Sequence, residues 1–237
     1  MKVAVSIPGR AMVSPSTKAF KALKMMPRFL KGEMKRGLTY NKTQDWDGGD
    51  YPQLGYFSDA SPADDPDTAK TQGGYCANPH GQAVSTFVSK QSSLVPTSTF
   101  HAETHFASLA ARDIAYKRNT FTGLGFTPTG PTQLYIDNQA TVLDAGSPIR
   151  KFSQKSKHFA ISERFVHQMV DDNAITIIKI SGKHHKAGAL TKPFAKEPFQ
   201  RYNDEFHAIS PPYRMDWGGA SKSLTQITIT PDYHLRG

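Results

Sequence analysis

Short apolar stretches follow one another through the middle of the chain, separated by segments whose apolar residues recur at helical spacing. LGYFSDA (54–60) reads as a strand ending in an aspartate, and SPADDPDTAKTQ (61–72) as a turn-rich connection. GGYCAN (73–78) and AVSTFVS (83–89) read as two further strands joined through Pro79-His80-Gly81, which predicts an antiparallel meander. From Thr99 to Lys117 the chain is rich in alanine, and Ala102, Phe106, Leu109, Ala110 and Ile114 form a helical stripe. QLYID (133–137) predicts a short strand ending in Asp137-Asn138, and residues 139–145 start a helix. A second long helix is expected from Lys155 to Val170, with Phe159, Ser162, Val166, Met169 and Val170 inward. AITIIKI (174–180) has the β-branched content of a buried strand, and 186–206 reads as a loop and a helix. Together these elements predict an α/β domain: a mixed sheet of about five strands with helices packed on it.

Both flanks depart from this pattern. Ser16 or Thr17 suits the cap of a helix carrying Phe20, Leu23 and Leu30 along one face; Pro27 predicts a kink or two shorter pieces. Gly32 and Gly37 suit its end. Residues 41–53 read as a loop, and the tail 210–237 has no counterpart in the sheet scheme. The organisation expected is a basic helical arm (1–50), an α/β domain (51–199) and a C-terminal extension (200–237).

The formal charge of +9 is compatible with a solvated basic surface or with phosphate contacts, and composition leaves both open. Its distribution is uneven: Lys18, Lys21, Lys24, Arg28, Lys31, Lys35 and Arg36 fall in one segment. The single cysteine, Cys76, excludes an internal disulfide framework and a multi-cysteine zinc site, and fits an intracellular, reducing compartment. No stretch approaches the run of about 18 apolar residues that a membrane span needs. MKVAVSIPGRAM lacks the apolar core and cleavage site of a secretory signal, so none is expected.

Three acids stand out by position. Asp59 ends the first strand, Glu103 falls in the first turn of the first long helix, and Asp137 ends the fourth strand. If the first and fourth strands are neighbours, two strand-end aspartates converge, and a helix on the sheet can bring a glutamate to them. Clustered carboxylates repel unless a cation lies between them, and magnesium, a hard ion, takes such oxygens. A pair of such ions can support in-line phosphoryl displacement.

FSDAS (57–61) with DPDTAKTQGGY (65–75), TFHAETHFASLA (99–110), LYIDNQAT (134–141), KSKHFAISERFVHQMV (155–170) and ALTKPF (189–194) resemble, in order, the motifs of the ribonuclease H domain of copia-type retrotransposon Pol polyproteins. VAVSIPGRAMVSPSTKAFKALKMMPRFLKG (3–32) resembles the segment that links polymerase to ribonuclease H in that family. The resemblance covers about residues 3–199. It implies a ribonuclease H-like fold in which Asp59, Glu103 and Asp137 are catalytic metal ligands for Mg2+, with Mn2+ as a substitute. The family's fourth ligand, an aspartate, falls on Gly188, which has no side chain to coordinate an ion. His184 and His185 stand where the wider superfamily places an auxiliary histidine; the alternative is an exposed basic loop of Lys183, His184, His185 and Lys186. His101 is expected to face away from Glu103. Glu163, 26 residues after Asp137 (163 − 137), matches the glutamate of integrases only in spacing, since its motif is not catalytic in the copia-type domain.

The resemblance implies hydrolysis of the RNA strand of RNA/DNA hybrids, selected through the 2′-hydroxyl and the minor-groove shape of the hybrid. Lys18, Lys21, Lys24, Arg28, Lys31, Lys183 and Lys186 would contact nucleic acid. The other reading is an inactive ribonuclease H fold kept as an RNA-binding or structural subunit of a ribonucleoprotein or reverse-transcriptase assembly, and Gly188 favours it.

Overall fold

The strands expected between residues 54 and 89 form an antiparallel meander in the computed structural model, which describes residues 2–42, 54–65, 67–79, 82–147, 157–207 and 225–229. β2 (Leu54–Ser61), β3 (Gln72–Pro79) and β4 (Thr86–Gln91) are joined by β5 (Thr132–Ile136) and β6 (Ile175–Lys179) in a mixed sheet. Its order is β4-β3-β2-β5-β6, and β5 and β6 run parallel to β2. The crossovers pass through α3 (Thr99–Gly123), and through α4 (Gln139–Gly146) and α5 (Lys157–Asp171). The first and fourth strands of the domain, β2 and β5, are therefore neighbours.

Tyr56, Leu134 and Ile136 point to one face, where α3 and α5 bury Ala107, Ala110, Ile114, Val166 and Met169 against them. The expected inward faces of both helices pack as their spacing requires. Phe57, Cys76 and Tyr135 point to the other face and meet Ala187 and Leu190 from the segment after β6. Two glycines set how closely the layers approach. A Cβ on Gly73 would lie 2.2 Å from the Phe106 ring, and one on Gly74 would lie 2.3 Å from the Val88 carbonyl oxygen. Gly73 thus lets α3 rest directly on β3, opposite Ala60 and beside Asp59.

The N-terminal segment differs from expectation. α1 (Lys2–Arg10) forms where no element was predicted, and Arg10 ties it to the sheet through Asp64 at 3.1 Å and Gln72 at 2.8 Å. α2 (Thr17–Glu33) is capped by Ser16, which accepts from the Ala19 N–H at 3.1 Å, and runs as one element through Pro27. Phe20, Leu23 and Leu30 do share a face, but it is exposed. Ala19, Ala22, Met26, Phe29 and Glu33, at i, i+3, i+7, i+10 and i+14, are the half-buried ones. The helix carries apolar residues on two sides, and contact with α1 and α6 (Lys196–His207) selects the second: Ala4 and Ile7 lie beside Ala22 and Met26, and Phe29 meets Phe199 edge-on at 5.4 Å.

The expected loop 41–53 lies mostly outside the described residues, as do 208–224 and 230–237 of the tail. The described part of the tail is β7 (Thr225–Ile229), antiparallel to β1 (Leu38–Lys42), a pairing the sequence pattern did not suggest. Among the described residues, no helix is long and apolar enough to cross a membrane.

Candidate active site

Strand register and side-chain alternation bring Asp59 and Asp137 together. Phe57 of β2 pairs with Tyr135 of β5, and their rings stack at 4.9 Å. Each aspartate lies two residues further along its strand direction, so both leave toward one face; Asp137 stands just past β5, whereas Asp59 does not end its strand as expected but pairs with Gly74 inside β2, which runs on to Ser61. Asn138 turns the chain immediately after Asp137 by capping α4, its side chain accepting from the Thr141 N–H at 3.1 Å. Glu103 arrives on α3, one helical turn before Phe106, where the Gly73 contact holds the helix to the sheet. One carboxylate oxygen from each of Asp59, Glu103 and Asp137 lies within 4.8 Å of the others.

This arrangement is electrostatically unfavourable by itself. Burial raises the Glu103 carboxyl to about 9, and the charges of Asp59 and Asp137 add to the shift; a hydrogen bond from the Ala60 N–H and the charge of Lys179 oppose it. Burial also raises Asp59, against which His185, the Thr191 hydroxyl and Lys192 act, while Asp137 adds to the rise. The Lys179 ammonium donates to the Asp137 carbonyl oxygen. Glu103 Oε2 is buried without a hydrogen-bond partner. Three converging carboxylates around an unpartnered buried oxygen fit a divalent cation, whose charge would remove the repulsion.

The segment after β6 closes the site from the opposite face through two 3₁₀ turns, Gly182–His184 and Lys186–Leu190. Gly188 is buried in the second turn. A Cβ placed on it would stand 3.8 Å from Asp59 Oδ2, 3.6 Å from the Tyr202 hydroxyl oxygen and 4.0 Å from the Phe194 ring. The residue that the resemblance aligns with a fourth carboxylate therefore faces Asp59. Thr191 holds Asp59 in place, its hydroxyl donating to Oδ2 at 2.6 Å.

The two histidines separate. His185 is 1% exposed, lies edge-on to Phe57, and sets Nε2 3.3 Å from the Tyr135 carbonyl oxygen. His184 is half-buried. This corrects the expectation of an exposed basic loop, because among these four residues only Lys183 is exposed. Lys186, expected to contact nucleic acid, places its ammonium over the Phe57 ring at 5.6 Å, and burial lowers its pKa. The reason is hydrophobic: Ala187 and Leu190 enter the core and draw the preceding residues down with them. Lys18, Lys21, Lys24, Arg28 and Lys31 are exposed along α2.

His101 stacks on Phe159 at 4.7 Å and sets Nε2 3.7 Å from Glu163, so neither it nor Glu163 joins the acid trio. Sequence reasoning missed Thr191 and Tyr202. Phe199, Tyr202 and Phe206, at i, i+3 and i+7, carry a readable helical spacing for the second of these.

No protein-family model matches the chain. Over 191 residues it is 28% identical to the retrovirus-related Pol polyprotein from transposon RE1 of Arabidopsis thaliana, a match covering 81% of this chain and 12% of that protein. Over 198 residues it is 27% identical to the retrovirus-related Pol polyprotein from transposon TNT 1-94 of Nicotiana tabacum, covering 83% of this chain and 14% of that one. The match thus spans only 12–14% of the length of these relatives. Among solved structures, it is similar to LC11-RNase H1, isolated from compost, with a TM-score of 0.46 and 10% identity over 60% of this chain and 94% of that one. The chain is similar over about four-fifths of its length to Pol polyproteins of copia-type transposons, the family its motifs resemble, and its core is a mixed five-stranded sheet.

Proposed function

We propose that the protein is a ribonuclease H-type endonuclease that hydrolyses the RNA strand of RNA/DNA hybrids. The observation that supports this reading best is the convergence of Asp59, Glu103 and Asp137 near the ends of neighbouring parallel strands and on the helix crossing them. In this reading the three carboxylates hold divalent ions, Mg2+ or Mn2+. When bound, these would supply Lewis-acid stabilisation of charge developing on the phosphate. Thr191 fixes the direction of Asp59, and the Ala60 N–H fixes one oxygen of Glu103. His185 braces the closing segment from within the core, which leaves His184 as the histidine of this pair with access to an auxiliary role.

Cleavage of a labelled RNA/DNA hybrid by the purified protein tests the reading, first in Mg2+ and then in Mn2+. Asp137→Asn is expected to reduce the rate by at least ~10³-fold, since it removes one charge from a site organised around cation binding. Hybrid bound but left intact by the native chain would sink the enzyme reading. It would favour a binding subunit of a ribonucleoprotein or reverse-transcriptase assembly, the alternative to which Gly188 points.

The exposed cations of α2 support nucleic-acid contact. Lys21, Lys24, Arg28 and Lys31 follow i, i+3, i+7 and i+10, one continuous stripe. Changing Lys21, Lys24, Arg28 and Lys31 to glutamine is expected to weaken hybrid binding and lower the slope of log K against log salt by roughly 2–4. An unchanged slope in a salt titration would place the hybrid elsewhere.

A further inference from the structure

Gly188 leaves one corner of the acid site without a carboxylate, and a different element reaches that corner. α6 is held along its length by the Phe29–Phe199 edge contact, by Asn203 donating to Glu33 at 3.2 Å, and by the 2.8 Å ion pair of Arg36 with Asp204. The Phe206 carbonyl oxygen accepts from the Val84 N–H at 3.0 Å. These contacts turn Tyr202 inward, where it is 6% exposed and stacks on Phe194 at 5.0 Å. The Arg201 guanidinium lies 4.9 Å from the same ring.

The Tyr202 hydroxyl and Asp59 Oδ2 stand 3.6 and 3.8 Å from one point, the Cβ that residue 188 lacks. Both oxygens therefore border the space that a side chain at 188 would enter. Burial raises the phenol pKa against a hydrogen bond and the charge of Arg201, so the hydroxyl stays neutral at ordinary pH and keeps one lone pair beyond the Arg201 bond.

We infer that the Tyr202 hydroxyl is the oxygen that completes the cation-binding corner beside Asp59, in place of a fourth carboxylate. The inference rests on the metal centre of the proposed nuclease and assigns it a positioning residue from outside the acid trio. A phenol is a hard but uncharged donor. It orients a cation without adding to the three negative charges, so the ion is held more loosely than by four carboxylates. The hydroxyl also takes a hydrogen bond from the Arg201 side chain, so its structural and its ion-binding roles are separated by experiment.

The test is Mn2+ binding to the substrate-free full chain near neutral pH, read from the electron paramagnetic resonance of free Mn2+. Native protein, Tyr202→Phe, Gly188→Asp and the double variant are compared. Tyr202→Phe is expected to weaken binding about 3–10-fold. In the Gly188→Asp background the same change is expected to shift affinity less than about twofold, because the carboxylate has taken the corner. A loss of equal size in both backgrounds is what a purely structural role produces, and it overturns the assignment. Unchanged affinity in Tyr202→Phe also overturns it, leaving the three-carboxylate centre and the nuclease reading standing. Native protein that neither binds Mn2+ nor cleaves hybrid overturns both.

Discussion

Glu103→Gln is expected to abolish hydrolysis and, at the same time, to make the metal-free protein more stable. The two effects share one cause. Glu103 is buried beside two other carboxylates, its Oε2 has no hydrogen-bond partner, and its carboxyl is raised to about 9. In the unfolded chain the same carboxyl ionises near its ordinary value of 4.5. Above that pH the unfolded state gains free energy by losing a proton that the folded state retains. Metal-free stability therefore falls as pH rises through the window from about 4.5 to about 9, and is fullest below it. At pH 7 the gap is about 2.5 units (7 − 4.5), on the order of 3 kcal/mol. Glutamine keeps the shape and an acceptor for the Ala60 N–H but has no proton to lose. Its metal-free Tm should exceed the native value by about 5–10 °C at pH 7, with the difference shrinking toward pH 5. Mg2+ or Mn2+ should raise the native Tm at neutral pH and raise that of the variant much less. Calorimetric scans from pH 5 to pH 8.5, with and without the ion, read all of this. Equal melting of native and variant metal-free protein across that range would mean that Glu103 does not keep its proton as its burial and the neighbouring acids require.

The same trade of stability for a charged site explains what was legible in the sequence. The two aspartates are visible because the strands are visible: Asp59 falls near the end of the apolar run 54–60 and Asp137 closes the run 133–137, and parity does the rest. The long helices were readable because their large buried apolar residues, Phe106, Ile114, Val166 and Met169 among them, fall on single stripes. α2 was not, since Phe20, Leu23 and Leu30 compete with Ala22, Met26 and Phe29, and the choice depends on α1 and on α6, the latter more than 160 residues away. The burial of His185 and Lys186 was hidden for a related reason. A polar quartet reads as exposed, but Ala187 and Leu190 carry more apolar area than a short turn can leave in water. β1 and β7 alternate apolar and polar residues over only five positions each, and they find each other across almost the whole chain, which no local pattern announces. Local pattern thus located the charged groups, and long-range packing decided what surrounds them.

The Gly188→Asp variant is expected to move every one of these quantities in the opposite direction. Nothing steric opposes the new side chain at its first atom: the 3.6–4.0 Å separations around a Cβ at 188 are ordinary contacts. The carboxylate would enter beside Asp59 Oδ2 and the Tyr202 hydroxyl, adding a fourth carboxyl group to a buried site. Without an ion the cost is immediate. Like charges at this separation in a poorly hydrated site should lower the metal-free Tm by several degrees, more at pH 8 than at pH 5. With an ion the sign reverses, because a divalent cation gains a charged donor where the native chain offers a neutral one. Divalent-ion affinity should rise about 10–100-fold, and hybrid cleavage in Mg2+ should rise by at least about tenfold, with a smaller gain in Mn2+. Titrating cleavage rate against ion concentration separates the two gains, since tighter binding moves the midpoint and better positioning raises the plateau. A variant with a lower metal-free Tm but an unchanged Mg2+ midpoint would show that the new carboxylate repels Asp59 without reaching the ion. Gly188 would then mark a site whose ions lie nearer Glu103 and Asp137 than the closing turn.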